Sequence, residues 1–201
     1  MTMRVVFATG NAHKVLEVQA ILASTGLDIE VRSLADWRDA PIPVEDGEDF
    51  AANALIKARA AAAHTGLPAI ADDSGICVDA LHGMPGIFSA RWSGAHGQDR
   101  DNLELLLAQL HDVPDARRHA HFACAAALVT PEGVERVVEG TIEGSLTREP
   151  SGGGGFGYDP IFVPYGYSQT TAELDAAHKN AISHRGAAFR ALAPVLVELL
   201  A

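Results

Sequence analysis

The stretch Ala71-Asp72-Asp73-Ser74-Gly75 constrains this chain most, because two adjacent carboxylates follow directly on the apolar run Ala69-Ile70-Ala71. Burying side-by-side acids inside a sheet costs several kcal/mol for each unpaired charge. The pattern therefore predicts a short inner strand that ends at the aspartates, a turn at Gly75, and carboxylates aimed into a cleft where a cation balances them. Mg2+ suits such a place, since it takes carboxylate, water and phosphate oxygens. Read alone, Asp, Ser and Gly also make an ordinary surface turn. The choice between the two falls to the other segments.

Upstream, Val5, Val6 and Phe7 form a continuous apolar run that reads as an inner strand covered on both faces. Thr9-Gly10-Asn11-Ala12-His13-Lys14 then leads into Val15, Val18, Ile21 and Leu22 at helical spacing. A strand, a glycine and a helix start make a natural anion site. Backbone N–H groups there carry partial positive charge, and Lys14 can add a full one. No GxxxxGK[ST] pattern occurs, so this is not a Walker loop. Ile29 and Val31 mark a second strand, and Pro41 and Pro43 make 36–47 a loop. Glu45, Asp46, Glu48 and Asp49 lead into an alanine-rich helix from about Glu48 to Thr65, with Phe50, Asn53, Ala54 and Lys57 on one face. Asn53 and Lys57 on that face suggest a polar cleft beside phosphates. The plainer alternative is that the acids complement the helix dipole and Lys57 is solvated.

Downstream, Ile76 to Leu81 continues extended, and His82 to Gly86 is a turn cluster. Arg91, after small residues, can reach a phosphate or pair with a surface acid. Leu103, Leu106, Leu107 and Leu110 mark a packing helix, and 117–130 with 134–142 read as a hairpin whose second run is interrupted at Glu139-Gly140. The glycine run 152–155 enters Phe156-Gly157-Tyr158-Asp159 instead of the serine or charge of a flexible linker. Such a loop presents a ring for stacking on a planar ligand and a carboxylate for its hydrogen-bonding edge. Residues 171–182 read as a helix capped by Thr170 or Thr171, and a last helix starts at Ser183-His184-Arg185-Gly186 and kinks or breaks at Pro194. Lys179, His184 and Arg185 gather donors near one helix start. His178 and His184 are not spaced for one helical face, which argues against zinc.

With 48% hydrophobic residues the chain can bury one good core, and 1–201 is expected to be a single folding unit. A net charge of -11 argues against gripping nucleic acid or an anionic membrane, both of which need a basic footprint. Two cysteines are too few for a disulfide scaffold, and no signal or transmembrane segment is expected, which points to a cytoplasmic protein with reduced thiols.

Taken together, Thr9-Gly10-Asn11…Lys14, Phe50…Asn53-Ala54…Lys57-Ala58, Asp72-Asp73-Ser74-Gly75, Pro85-Gly86…Ser89-Ala90-Arg91, Gly155-Phe156-Gly157-Tyr158-Asp159-Pro160 and Ser183-His184-Arg185-Gly186 resemble the non-canonical purine nucleoside triphosphate pyrophosphatases. The six blocks occur in order across almost the whole chain. The resemblance implies an α/β fold with a mixed, elongated central sheet flanked by helices, two lobes with a ligand cleft between them, and a homodimer. It implies cleavage of ITP, dITP or XTP between the α- and β-phosphates. By that resemblance Asp73 is the catalytic acid/base residue and a Mg2+ ligand, and Glu45 is a further ligand. Thr9, Gly10, Asn11, Lys14 and Ser74 hold phosphates. Phe156, Gly157, Tyr158 and Asp159 hold the base with His184 and Arg185, and Lys179 supports them. Donors such as His184 or Arg185 would pair with a 6-oxo group and face an adenine amine wrongly. An ordinary Asp, with a pKa of about 3.9, is a weak base. Asp73 therefore needs either a pKa raised by Asp72 or an acidic metal-bound water. Two alternatives remain: a pyrophosphatase for modified pyrimidines or methylated bases, and a nucleotide sensor without turnover.

Overall fold

The computed structural model describes residues 2–200. Among them, six strands form one sheet in the order β2-β1-β3-β4-β5-β6: β1 (Met3–Phe7), β2 (Ile29–Ser33), β3 (Ala69–Val78), β4 (His119–Val129), β5 (Glu135–Leu146) and β6 (Phe162–Pro164). The sheet is mixed, as expected: β1 pairs in parallel with β2 and β3, whereas β5 pairs antiparallel with β6. Five helices accompany it: α1 (Ala12–Ser24), α2 (Phe50–Thr65), α3 (Asp99–Gln109), α4 (Ala176–Ile182) and α5 (His184–Leu200). Two compact units emerge. One holds the chain up to Asp73, residues 124–140 and the chain from His184 onward, and the other holds 74–123 and 141–183.

Strand alternation builds the first unit. Val5, Phe7, Ile70, Cys124 and Ala126 point to the side of α1 and α5, where Phe7 meets Phe189 edge to face at 5.8 Å. Their neighbours Val6, Ala69, Ala71, Ala125 and Ala127 point the other way, onto Ala54, Ala58, Ala61 and Ala62 of α2. Small residues on both surfaces let that helix lie close to the sheet. In the second unit Ile76, Val78, Phe122, Leu146, Tyr158 and Phe162 pack with Leu103, Leu106 and Leu110 of α3.

Several local expectations change. The strand does not stop before the aspartates: β3 runs from Ala69 to Val78 with Asp72 and Asp73 inside it and both buried. Gly75 makes no turn, and its role is close approach, since a Cβ there would strike the Gly86 carbonyl and the Ser89 hydroxyl. Gly140 does not interrupt β5. Its missing side chain admits the backbone of α5, because a Cβ would meet the His184 carbonyl and the Ala188 amide. Glu139 is exposed. The helix expected over 171–182 is shorter: α4 starts at Ala176 behind Asp175, whose side chain accepts from the His178 N–H. Pro194 lies within α5, which continues to Leu200. Cys77 and Cys124 are free and buried, and no helix among the described residues is long and apolar enough to cross a membrane.

Candidate active site

Because side chains alternate along a strand, Asp72 and Asp73 emerge on opposite faces of β3. Asp72 joins the α1/α5 side. Its Oδ2 accepts from Lys14 Nζ at 3.0 Å and from Arg185 Nε and Nη2 at 3.1 Å each, while Arg185 Nη1 donates to Glu17 at 2.6 Å. Burial alone would push the Asp72 carboxyl up, but Lys14, Arg185 and Lys57 outweigh it and hold the group well below the usual carboxylate range. The Cys124 thiol, 3.9 Å from the same oxygen, is pushed up by burial and by that carboxylate, so it stays neutral.

Asp73 joins the α2 side. Its Oδ2 accepts from Asn53 Nδ2 at 3.0 Å, and its Oδ1 lies 3.4 Å from Lys57 Nζ, which also donates to Glu45 Oε2 at 3.0 Å. Here burial wins. It raises the Asp73 carboxyl above its ordinary value against the pull of Lys57 and Lys14, with Glu45 adding to the rise. Burial is thus the main source of the rise, where Asp72 was one of the two routes to a working base that the sequence left open. Burial acts to lower Lys57, but Asp73, Asp72 and Glu45 overcome it and hold the amine above the ordinary lysine range. Among the described residues no group of three or more His, Cys, Asp or Glu gathers to hold a metal. Glu45 and Asp73 come from separate elements yet meet on one cationic point, Lys57. Two carboxylates around a point that favours positive charge fit Mg2+, which fills its remaining positions with water and phosphate oxygens.

The strand-to-helix turn is more self-contained than expected. Asn11 caps α1 by accepting from the His13 and Lys14 N–H groups at 2.9 and 3.3 Å, and Thr9 Oγ1 accepts the Asn11 N–H at 3.1 Å. Three amides that could have faced an anion are therefore already bonded. Gly10 is exposed, and a Cβ there would meet nothing within 4 Å.

In the second unit the glycine-rich loop is braced from within. Asp159 is buried; its carboxylate accepts from the Phe156 N–H at 2.9 Å, Thr171 Oγ1 at 2.8 Å and Lys179 Nζ at 2.6 Å. Tyr158 is also buried, with its hydroxyl donating to the Ser89 carbonyl at 2.8 Å, and the Gly157 N–H donates to Asp99 at 3.0 Å. Phe156 keeps a half-buried ring with Lys179 Nζ 5.0 Å from its centroid. The expected pair of presented groups, ring and carboxylate, is thus a ring alone, and Asp159 and Tyr158 fix the loop behind it. Arg91 ends a 3-10 turn, Gly86–Arg91, with its guanidinium 5.2 Å from the Phe88 ring; Ser74 is half-buried beside Asp73 in sequence.

Donors expected at one helix start turn to different partners: Lys179 to Asp159, Arg185 to Asp72 and Glu17. Arg185 is 2% exposed and committed to carboxylates, and His184 is buried at the start of α5. Asn53 is fully buried with both ends of its amide bonded, so it does not face a ligand.

This order of residues matches the Ham1 family over residues 5–195. The chain belongs to the Ham1 family. It is 59% identical over 197 residues to a dITP/XTP pyrophosphatase of Streptomyces avermitilis, covering 98% of both chains. Among solved structures, that of a nucleoside-triphosphatase / dITP/XTP pyrophosphatase from Mycobacterium abscessus is 54% identical with a TM-score of 0.76, covering 96% of this chain and all (100%) of that one. The structure of a HAM1 protein from Coxiella burnetii is 41% identical with a TM-score of 0.86, covering 98% and 99% of the two chains.

Two residues of this Ham1 site escaped the sequence reading. Glu17 sits one turn after Lys14 on α1, a spacing that places both on one helical face and was available as a signal. Gly47 donates its N–H to Asn53 Oδ1 at 2.8 Å, and nothing in a loop rich in acids and prolines marks it out.

Proposed function

We propose that this Ham1-family chain hydrolyses ITP, dITP and XTP to the nucleoside monophosphate and pyrophosphate, with Mg2+ as cofactor. The carrying observation is Asp73, a buried carboxylate made more basic by its burial and held against Asn53, Lys57 and Glu45. The likeness to dITP/XTP pyrophosphatases across the full length supports the substrate class.

Water attacks the α-phosphorus, its proton passes to Asp73, and the bond from that phosphorus to the bridging oxygen breaks, releasing pyrophosphate. A carboxylate lifted above its ordinary pKa accepts that proton more readily than an exposed aspartate. Asp73 and Glu45 would hold Mg2+, which when bound neutralises phosphate charge and acidifies coordinated water. Lys57, kept charged by its three acids, and Lys14 supply fixed positive charge for a polyanion. Gly10 gains its use from a bound phosphate, which can approach a backbone without a side chain. The Phe156 ring stacks on the base, and His184 donates to a 6-oxo group. We further propose a homodimer in the cytoplasm, which light scattering of the purified protein and fractionation of the source cell test.

Pyrophosphate release from ITP, dITP, XTP, GTP and ATP, each with Mg2+ and with EDTA, tests the substrate and the metal together. Fast Mg2+-dependent release from the first three and slow release from the last two is expected. Release from none of them by folded protein would overturn the reading in favour of a modified-base substrate or a sensor.

A further inference from the structure

Glu45 and Asp73 carry like charge, come from different elements and still converge on Lys57. Something must hold the acidic loop against the strand. The first half of α2 supplies it. Asp49 caps the helix by accepting the Ala52 N–H at 2.7 Å, which fixes the turn on which Asn53 is fully buried. The Gly47 N–H can only donate, so the amide end that faces it at 2.8 Å must be the Asn53 oxygen. The Asn53 nitrogen then has one place to go, the Asp73 Oδ2 at 3.0 Å. One side chain thereby ties the backbone two residues beyond Glu45 to the carboxylate of Asp73. It also commits Oδ2 as an acceptor and leaves Oδ1 as the oxygen on the Lys57 side. There is no slack in the arrangement. A Cβ on Gly47 would lie 2.7 Å from both Asn53 Oδ1 and Ala52 Cβ, so only glycine lets the loop close on the amide.

We infer that Asn53, with Gly47, is a positioning pair that docks the acidic loop onto Asp73, occupies Oδ2 so that Oδ1 is the carboxylate oxygen presented on the Lys57 side, and makes no contact with the nucleotide. This rests on the pyrophosphatase reading for its kinetic consequence but not for the docking itself.

The test combines kinetics with NMR on wild type, Asn53→Leu and Gly47→Ala, each first shown folded by circular dichroism. In wild type the Gly47 amide is expected to exchange slowly with solvent and to shift on titration with Mg2+ alone. In both variants exchange at residue 47 should accelerate about 10- to 100-fold and the Mg2+ response weaken similarly, the usual range for loss of a group that orients a ligand. The value of kcat for dITP should fall by about the same 10- to 100-fold while KM stays within about threefold. If KM rises with kcat unchanged, Asn53 binds substrate and the inference is overturned. It is equally overturned if residue 47 exchanges as in wild type in Asn53→Leu. If Asn53→Leu does not fold, Gly47→Ala, with Asn53 intact, carries the same expectations. A wild type that cleaves no triphosphate would sink the proposed function, and the exchange measurement would still decide the docking.

Discussion

The two faces of β3 handle the same chemical problem in opposite ways. On the α1/α5 face Asp72 is walled in by cations: Lys14 and Arg185 touch it directly, and Glu17 takes the third nitrogen of the guanidinium. On the α2 face Asp73 meets one shared ammonium, a neutral amide and a second carboxylate. The first environment over-compensates burial and depresses the pKa, and the second under-compensates it and raises the pKa. Adjacent residues of identical chemistry thus become a charge-paired anchor and a carboxylate of raised pKa, the group that the proposed reaction uses as its base. The difference lies in which helix each one faces, which follows from the two-residue period of a strand.

The largest effect expected is on the anchor. Asp72→Asn leaves Arg185 buried without its main counter-charge, and breaking a buried pair from one side costs about 3–5 kcal/mol. The urea midpoint should fall steeply with the slope unchanged. An unfolding free energy within about 0.5 kcal/mol of wild type, the range of a neutral surface change, would erase the contrast between the faces.

Next is the acid limb. The folded pKa of Asp72 lies below its unfolded value, so its contribution is fully present above an ordinary Asp pKa of about 3.9 and is lost as pH falls toward the folded value. Asp73 has the opposite sign: its folded pKa is raised, so its contribution to stability declines as pH rises through that value. Urea midpoints across the acid range should show a flatter acid limb in Asp72→Asn than in wild type. An unaltered limb would mean that Asp72 is not the group being protonated.

How much of this was legible beforehand turns on chain separation. Local signals reported truly: the apolar run of β1, the strand-to-helix turn at Thr9 to Lys14, the leucines of α3 and the glycine-to-aromatic transition before Asp159 all involve neighbours. The strand through both aspartates was not legible, because its charge compensation comes from Lys14 and Arg185, 58 and 113 residues away from Asp72 in sequence. Without those partners a continuous buried strand looked too costly, and a strand end was the cheaper assumption. Asn53, read as facing a ligand because polar residues on an alanine-rich face invite that, is instead consumed by Gly47 and Asp73. Asp159 misled for the same reason: its partner Lys179 is 20 residues on.

The second unit offers a smaller contrast, between a ring that is presented and the residues that brace it. Phe156→Ala should raise KM for dITP by an amount worth about 1–3 kcal/mol, by analogy with base stacking in single strands, and leave kcat nearly unchanged. An equal loss of kcat would mean that the loop takes part in the chemistry. Tyr158→Phe removes only the bond to the Ser89 carbonyl and should cost about 1 kcal/mol of stability, read as a small drop in urea midpoint. A KM change matching that of Phe156→Ala would place Tyr158 on the ligand instead of behind the loop.

The most direct test of the division between the two aspartates is Asp73→Asn, assayed for pyrophosphate release from dITP and for urea stability on the same preparation. The amide can still accept from Asn53, and Lys57 keeps Glu45, so stability should stay within about 1 kcal/mol of wild type. Turnover should fall by at least about 100- to 10,000-fold, the usual contribution of a positioned acid or base. Substantial turnover in Asp73→Asn, or a loss of stability as large as that of Asp72→Asn, would contradict the account.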